Sequence, residues 1–192
     1  MTETIKTADC INDVEFVKMA QAGNVRGFAH LHGCHWQAIY TYFFYRVNDT
    51  QTAEDLASEV FVRLVTAIDS YCEKRATILP WLYTIARNLL TDHYRKNSGQ
   101  PELVEVEESI LSTFASPEQD INQQMDTDCL KKAMRTLTEE QQQVIIGKFI
   151  EGRSNREVAT LIQRTEGAVK SLQHRALAAL RRVIEKAGCY EI

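Results

Sequence analysis

The chain has 192 residues, enough for one ordinary domain or two small ones. Hydrophobic residues make up 44% of it and charged residues 25%, proportions that are ordinary for a globular protein. No apolar stretch is long enough to span a bilayer, and Met1 to Cys10 contains no basic start followed by an apolar block. These features argue against an inserted membrane helix and a secretory signal, so we expect a cytoplasmic protein without membrane insertion.

The net charge of −4 conceals a strong segregation along the chain. Residues 1–98 are nearly balanced, with 10 basic and 11 acidic side chains. Residues 99–128 hold 8 acidic side chains and no basic one, whereas residues 129–186 hold 12 basic and 6 acidic side chains. A basic block behind an acidic spacer can bind phosphate even when the whole protein is acidic. A solvated helical surface would give the same pattern, so charge alone leaves nucleic-acid binding open.

Five cysteines are scattered through the sequence: Cys10, Cys34, Cys72, Cys129 and Cys189. Their number is odd and no two form a Cys-x-x-Cys pair. That pattern predicts free thiols in a reducing compartment. His30 and Cys34 would share a helix face at four-residue spacing, but no second pair of ligands accompanies them. We therefore predict no metal site and no cofactor.

The composition predicts an all-α protein. Helix-forming residues dominate long segments, only 8 glycines and 3 prolines interrupt them, and no strand-like alternation stands out. The first helical region runs from about Ile11 to Val47, with a break at Gly23-Asn24.

Two more helices are predicted before residue 98. The first begins near Thr52, which can act as N-cap. Its buried stripe at four-residue spacing is Leu56, Val60, Leu64 and Ile68. The second has Pro80 in its first turn, where the missing N–H does no harm. Its inner face is Leu82, Ile85, Ala86 and Leu89.

Helix-start signals mark the second half of the chain. Ser116-Pro117 begins the first of them, near the end of an acidic linker at residues 99–128. Two capping boxes follow, Thr138 to Gln141 and Ser154 to Glu157, with Gly152 between them as a helix stop. A last helix, capped by Thr165, has the inner stripe Val169, Leu172, Ala176, Leu180 and Val183.

The segment from Ser154 to Arg182 has helix-turn-helix form. A short helix ends near Ile162, and a longer one begins at Glu166 after a three-residue turn. The apolar residues predicted to fill the crossing are Val158, Leu161, Ile162, Val169 and Leu172. The small residues predicted to permit a close crossing are Ala159, Gly167 and Ala168.

The exposed face of the longer helix offers side chains that can donate to phosphates and reach base edges. They are Glu166, Lys170, Ser171, Gln173, His174 and Arg175. The N-terminal half of a recognition helix enters the major groove, so we assign Glu166, Lys170, Ser171 and His174 to bases. Near helix starts and the turn, Arg153, Arg156 and Arg164 suit phosphate contacts. An ordinary helical hairpin with a charged outer face would share this pattern.

Residues 137–181, LTEEQQQVIIGKFIEGRSNREVATLIQRTEGAVKSLQHRALAALR, resemble region four of bacterial RNA polymerase sigma factors. The family usually has Pro at Thr138, Gly at Gln163, Thr at Ala168 and Arg at Leu172, so this chain lacks a basic contact at Leu172. Two segments of the first half, TAEDLASEVFVRL at 52–64 and PWLYTIARNLLTDHYR at 80–95, resemble sigma region two. The order, the spacing and the short acidic linker resemble the extracytoplasmic-function (ECF) subgroup.

The resemblance implies three parts. Residues 1–98 would bind core polymerase and the downstream promoter element, 99–128 would be the acidic linker, and 129–192 would read the upstream element in duplex DNA. It also implies an anti-sigma factor as a further partner. The residues implied in core polymerase binding are Glu54, Asp55, Glu59, Phe61 and Arg63, of which Phe61 is equally well explained as core.

The resemblance further implies that the helix beginning at Pro80 opens the promoter. Aromatic and basic side chains together suit melted single-stranded DNA, where bases stack on rings and phosphates meet cations. The residues implied are Tyr83, Arg87, Asn88, Asp92, Arg95 and Lys96. Asp92 is unusual near phosphate and can instead pair with Arg95 or Lys96. Lys74 and Arg75, in the preceding connection, are predicted to help hold a flipped base.

No phosphate-binding glycine loop, nucleophile elbow or metalloprotease motif occurs in the sequence, so we predict no catalytic residue. Two alternative functions remain open. One is a stand-alone helix-turn-helix regulator, which would not need the aromatic and basic helix of the first half. The other is a sigma-like protein that sequesters an inhibitor without directing transcription.

Overall fold

All regular structure in the computed structural model is helical over residues 13–72, 77–98 and 121–187, the ranges it describes. The all-α prediction is confirmed. The chain divides into two compact units, residues 1–99 and 100–192. The first contains α1 (Val14–Gln21), α2 (Val25–Phe44), α3 (Thr50–Ala67), a 3-10 turn (Ile68–Ser70) and α4 (Leu79–Ser98). Within the described ranges, no helix is both long and apolar enough to cross a membrane.

The predicted break at Gly23-Asn24 is confirmed. Gly23 has a φ of +73°, a left-handed conformation that separates α1 from α2. Asn24 then caps α2 by accepting a hydrogen bond from the backbone N–H of Arg26 (2.9 Å). Gly27 lets the two helices approach closely, because a Cβ there would lie 2.6 Å from the backbone nitrogen of Ala20. The position of α1 on α2 is therefore set by backbone contact.

Helix α3 begins two residues earlier than predicted, and its N-cap is Asp49, where Thr52 was expected. The Asp49 carboxylate accepts hydrogen bonds from the backbone N–H (2.8 Å) and the hydroxyl (2.6 Å) of Thr52. These bonds lower the pKa of Asp49. A carboxylate is also favoured at the positive end of a helix, which explains why the cap falls on Asp49.

The first unit buries one face of each long helix. Helix α2 lies against α1, α3 and α4, and α3 also packs on α4. The predicted stripe of α3 is buried at Val60, Leu64 and Ile68, with Leu56 half-buried. On α4 the predicted inner face is buried at Leu82, Ala86 and Leu89, with Ile85 half-buried. The 3.6-residue period thus located these faces correctly.

A buried carboxylate connects three parts of the first unit. Asp13, 1% exposed, accepts hydrogen bonds at Oδ2 from His35 Nε2, the Thr77 hydroxyl and the Ile78 backbone N–H, each at 2.8 Å. Burial by itself raises the pKa of Asp13, but the hydrogen bond and charge of His35, with the bonds from Ile78 and Thr77, bring the net pKa below its ordinary value. The ionised carboxylate therefore joins the start of α1 to α2 and to the start of α4.

The second unit contains α5 (Ile121–Arg135), α6 (Glu139–Ile145), a π-helical turn (Ile146–Ile150), α7 (Asn155–Ile162) and α8 (Glu166–Ala187). Helix α5 begins inside the range 99–128 assigned to the linker, and the predicted start at Ser116-Pro117 lies outside the described residues. Sequence analysis did not predict the π-helical turn.

Three of the predicted helix starts of the second unit, and its predicted stop, are confirmed. Both capping boxes are complete, from Thr138 to Gln141 and from Ser154 to Glu157. The predicted stop at Gly152 has a φ of +68°. Thr165 caps α8 by accepting a hydrogen bond from the backbone N–H of Ala168 (3.2 Å). Each of these signals acts between residues two to four positions apart, so sequence was sufficient to find it.

The helix-turn-helix crossing is confirmed, with corrections at Leu161, which is half-buried and lies outside its core, and at Gly167. Its core consists of Val144, Val158, Ala159, Val169 and Leu172, with Ile162 packed against it. Gly167 is exposed, and a Cβ there would meet only the Thr165 hydroxyl, at 3.9 Å, so it is not a crossing residue. The close approach occurs at Gly147, where a Cβ would lie 2.9 Å from Val158 Cγ2. Sequence analysis missed it because Gly147 precedes the helix pair.

The free-thiol prediction is wrong for two cysteines. Cys34 in the first unit and Cys129 in the second are each engaged in a disulfide, whereas Cys72 is free and exposed. Cys10 and Cys189 lie outside the described residues. Sequence spacing cannot show which sulfurs folding brings together, which explains the error.

We predict that Gln163→Gly stabilises the second unit by about 1 kcal/mol. Gln163 ends α7 in the left-handed conformation (φ 54°, ψ 45°), which is costly for a residue with a Cβ. Hydrogen exchange of α7 and α8 amides in the full chain measures the change. As the control, Gln143→Gly removes a side chain from within α6 and should destabilise by about 1 kcal/mol. Faster exchange in both variants would contradict the prediction.

Candidate functional site

One side of α4 is exposed and polar. Its members recur at three- and four-residue spacing, which places them on one side of a helix. They are Arg87, Asn88, Thr91 and Arg95, and we call this surface the α4 face. Lys96, next to it, is also exposed. Asp92 accepts a hydrogen bond from the Arg95 guanidinium (2.8 Å), which confirms the predicted pairing and partly neutralises one cation of the face.

Tyr83 needs correction as a predicted DNA contact. It is buried, 6% exposed, and its ring centroid lies 5.5 Å from that of Tyr42 on α2. The ring therefore belongs to the packing between α2 and α4 and is not available for base stacking. Tyr94 is 47% exposed, and its hydroxyl donates to the carbonyl of Arg46. Tyr94 is thus the aromatic side chain that remains accessible near the end of α4.

The connection before α4 is only partly described. Lys74 and Arg75, predicted to help hold a flipped base, lie outside the described residues. At the two ends of the connection, Tyr71 and Ile78 are buried. The Tyr71 ring contacts the half-buried Trp81 (5.1 Å between centroids), so the two rings pack together beside the start of α4.

The second unit presents a comparable surface on α8. Glu166, Lys170, Ser171, His174 and Arg175 are exposed, and we call this surface the α8 face. Gln173, predicted with them, is half-buried. The opposite side of the helix carries buried Val169, Leu172 and Ala176, so packing against α7 and α6 orients the polar side outward. This is the geometry of a helix held for contact with a groove.

The three arginines assigned to phosphate differ in their surroundings. Arg156 is exposed on α7. Arg164 lies at the turn, and its Nη2 and Nε are 2.6 Å and 3.1 Å from Oε1 of Glu140. Arg153 is ion-paired with Glu151 and is only half-exposed. Contact of Arg153 or Arg164 with phosphate would therefore compete with a carboxylate partner.

The predicted protein-binding residues lie along α3. Glu54 and Asp55 are exposed in its first turns. Glu59 and Arg63 form an i,i+4 ion pair (3.1 Å), which at a partly exposed site contributes little to stability. Phe61 is buried, 7% exposed, under the rings of His32 and Trp36 of α2, at centroid distances of 4.6 Å and 5.8 Å. Phe61 therefore supports a surface and is not its outermost anchor.

That surface is an aromatic row on α2, which sequence analysis missed. It consists of His32, Trp36, Tyr40 and Phe44. Successive centroids are 5.1, 6.5 and 5.7 Å apart, within the range of aromatic contacts. His32 is exposed and the other three are half-buried, so the aromatic row is accessible. Four aromatic side chains at strict four-residue spacing were the signal that could have found it.

The aromatic row has a distinct electrostatic setting. Desolvation lowers the pKa of His32, which favours the neutral imidazole. Desolvation and the negative charge of Glu54 both raise the pKa of Tyr40, which places that carboxylate of α3 near the row. An amphipathic surface of rings beside a carboxylate suits binding to a basic protein segment.

The described residues contain no cluster of three or more His, Cys, Asp or Glu side chains that could hold a metal ion. The side chains of His30 and Cys34 contact a neighbouring aromatic ring and each other. The His30 ring stacks on Phe16 (3.4 Å between centroids), and Cys34 Sγ lies 3.4 Å from His30 Nε2.

Comparison with known families places these surfaces in context. The model of Sigma-70 region 2 matches residues 31–100, which include the aromatic row, α3 and the α4 face. The model of Sigma-70 region 4 matches residues 127–180, which include the helix-turn-helix and the α8 face. Both matches confirm the resemblance to sigma regions two and four seen in the sequence.

Two curated relatives extend over most of the chain. ECF RNA polymerase sigma factor BldN of Streptomyces coelicolor is 34% identical over 178 residues, covering 92% of this chain and 67% of BldN. ECF RNA polymerase sigma factor SigX of Bacillus subtilis is 33% identical over 169 residues, covering 82% of this chain and 84% of SigX.

Two solved structures share the fold. CnrH, in complex with the cytosolic domain of CnrY, matches with a TM-score of 0.64 and 22% identity over 91% of this chain and 97% of that one. RpoE of Bartonella quintana, in complex with the anti-sigma factor NepR, matches with a TM-score of 0.56 and 23% identity over 84% and 98%. From the two family matches and the two relatives, we conclude that the chain belongs to the ECF RNA polymerase sigma factors and functions in transcription initiation.

Proposed function

We propose that the chain binds core RNA polymerase and directs it to promoters with two separate DNA-binding units. Residues 1–98 bind polymerase and the downstream promoter element, residues 129–192 read the upstream element, and residues 99–128 join them. The protein acts by binding alone, without catalysis or a cofactor of its own. Because its partners are core polymerase and promoter DNA, it works in the cytoplasm.

The observation that carries this proposal is the presence of two exposed polar helix faces, one in each unit. The α8 face lies on a helix-turn-helix, which suits duplex DNA. The α4 face lies in a unit with no such motif among its described residues, and its arginines and amide suit phosphates and unstacked bases. A stand-alone regulator needs the first face but has no use for the second.

The polymerase contact is assigned to the aromatic row together with Glu54 and Asp55. Rings that are accessible yet held by their neighbours are typical of residues that dominate binding energy at protein interfaces. The carboxylates beside them select a basic partner surface and accelerate encounter. An anti-sigma factor is proposed as a second partner, because the solved structure of RpoE contains the anti-sigma factor NepR.

We propose that the two units bind promoter DNA tightly only when polymerase holds both of them. Each face offers few cations, so each unit alone should bind DNA weakly and lose affinity as salt rises. Once polymerase holds both, the second contact becomes intramolecular and gains from a high effective concentration.

We expect the purified chain and core polymerase together to transcribe a subset of templates from a randomised promoter library. Sequencing of the run-off transcripts should reveal two separated sequence blocks, one for each unit. Core polymerase alone is the control. If the complete mixture yields no more specific transcripts than core polymerase, the proposal is wrong. Strong sequence-specific binding of duplex DNA by the free chain would support the stand-alone regulator, and binding of an inhibitor without transcription would support the sequestering protein.

Truncation of the aromatic row should weaken polymerase binding. We expect Tyr40→Ala to raise the Kd for core polymerase about tenfold, equivalent to ~1.4 kcal/mol, because a half-buried ring at the interface is lost. Fluorescence titration of labelled protein with core polymerase measures the Kd. Tyr40→Phe is the matched control and should bind within about twofold of wild type, since it keeps the ring. Equal affinity of the Ala and Phe variants would remove the aromatic row from the interface.

Two substitutions should separate base contacts from phosphate contacts in the second unit. In the holoenzyme, Lys170→Ala should change the preferred base at one position of the upstream element, because Lys170 lies on the α8 face. Arg156→Ala should weaken binding to all sequences alike and reduce the slope of log affinity against log salt by about 1. Binding measured against a set of single-base promoter variants at several salt concentrations distinguishes them. Lys186→Ala, near the far end of α8, is the control, and an effect as large as that of Lys170→Ala would contradict this assignment.

A further inference from the structure

Helix α1 contacts both ends of the connection between α3 and α4. At the end of α1, Gln21 Nε2 donates to the carbonyls of Ile68 (3.1 Å) and Tyr71 (2.8 Å). At its start, the Asp13 carboxylate accepts from the Thr77 hydroxyl and from the backbone N–H of Ile78, both at 2.8 Å. A helical segment of this length spans about 12 Å, so one short helix bridges the two ends. These contacts involve only described residues on either side of 73–76.

The contact at Asp13 is coupled to the start of α4. Thr77 donates its hydroxyl proton to Asp13, and the same oxygen accepts from the backbone N–H of Leu79 (3.3 Å), the first residue of α4. The carboxylate thus lies near the positive end of α4, where a negative charge is favoured. A residue 66 positions earlier than Leu79 therefore completes the start of this helix.

Helix α1 is itself fixed in position by its contacts with α2. Its backbone lies against Gly27 of α2, where a Cβ would be 2.7 Å from the carbonyl oxygen of Phe16. Val17 and Ala20 are buried, and His35 of α2 holds Asp13 from the other side (2.8 Å). Because α1 contacts both ends of the connection, its position on α2 also fixes the positions of those two ends.

We propose that Asp13 and Gln21 are positioning residues for promoter opening, acting through the start of α4 and the turn at Ile68–Tyr71. The inference rests on the proposed role of the α4 face in binding melted DNA. Neither side chain needs to touch DNA. Loss of either contact frees one end of the connection and lets the start of α4 move, so that the α4 face meets the melted strand less often in the productive orientation.

Gln21→Ala provides the main test, because Gln21 is exposed and its removal leaves the core intact. We expect holoenzyme with this variant to form open complexes on a duplex promoter about tenfold more slowly than wild type, from the loss of two hydrogen bonds. Permanganate reactivity of unpaired thymines follows opening. The Kd for core polymerase should be unchanged. Transcription from the same promoter with a pre-melted mismatched bubble should also be close to wild type.

Gln37→Ala is the matched control. Gln37 is also an exposed glutamine, but its amide donates to Thr41 of its own helix (3.3 Å). This variant should open the duplex promoter at the wild-type rate. Asp13→Asn supplies a second measurement that does not depend on transcription, since the backbone amides of Ile78 and Leu79 should exchange faster with solvent while those of α8 do not.

The outcomes separate this inference from the proposed function. If wild-type holoenzyme opens the promoter and Gln21→Ala opens it equally fast, the positioning role is wrong and the proposed function stands. Equal losses on duplex and pre-melted templates would also overturn the role, because they would indicate a general structural defect. If wild-type holoenzyme fails to open any promoter, the proposed function fails and this inference fails with it.

Discussion

A carboxylate removed from water must be given donors, and in the first unit this requirement organises the surrounding elements. Asp13 obtains its donors from α2 and from the start of α4, so an ion near the beginning of the chain connects helices that are distant in sequence. Because His35 and the α4 donors meet at one oxygen, the directions of both helices are coupled. The orientation of the α4 face therefore depends on a contact at the start of the helix, before the face itself.

Both proposed DNA surfaces follow from amphipathic packing. Helices α4 and α8 each bury one side in a local core, and the remaining side carries polar residues at the same helical period. Tyr83 marks where the exposed α4 face begins, because one helical turn before Arg87 the ring is still buried against Tyr42. A helix held by its apolar side presents its polar side rigidly, which limits the entropy lost when DNA binds.

Sequence predicted those features that act over one or two helical turns. The capping boxes at Thr138 and Ser154, the break at Gly23 and the buried stripes required only near neighbours. The features that were missed depend on the fold: the donors to Asp13, the approach of Gly147 to Val158 and the disulfide state of Cys34 and of Cys129. The aromatic row combines both kinds of feature. The four-residue spacing of its rings can be found in the sequence, but their accessibility depends on how α2 packs in the fold.

The ion pairs around the helix-turn-helix favour binding of promoter DNA over random DNA. Arg164 and Arg153 already have carboxylate partners, Glu140 and Glu151, so binding of phosphate to either arginine competes with that ion pair. Exposed ion pairs such as Arg164 with Glu140 are weak, so phosphate can replace the carboxylate. The replacement adds little to the free energy of DNA binding, because one weak ion pair is lost as another forms. Random DNA, which offers phosphates but no matched base edges, would gain least from such a surface. In the proposed function, a promoter adds base contacts along the α8 face and polymerase holds the first unit on the same DNA, so binding strong enough to start transcription requires all three together.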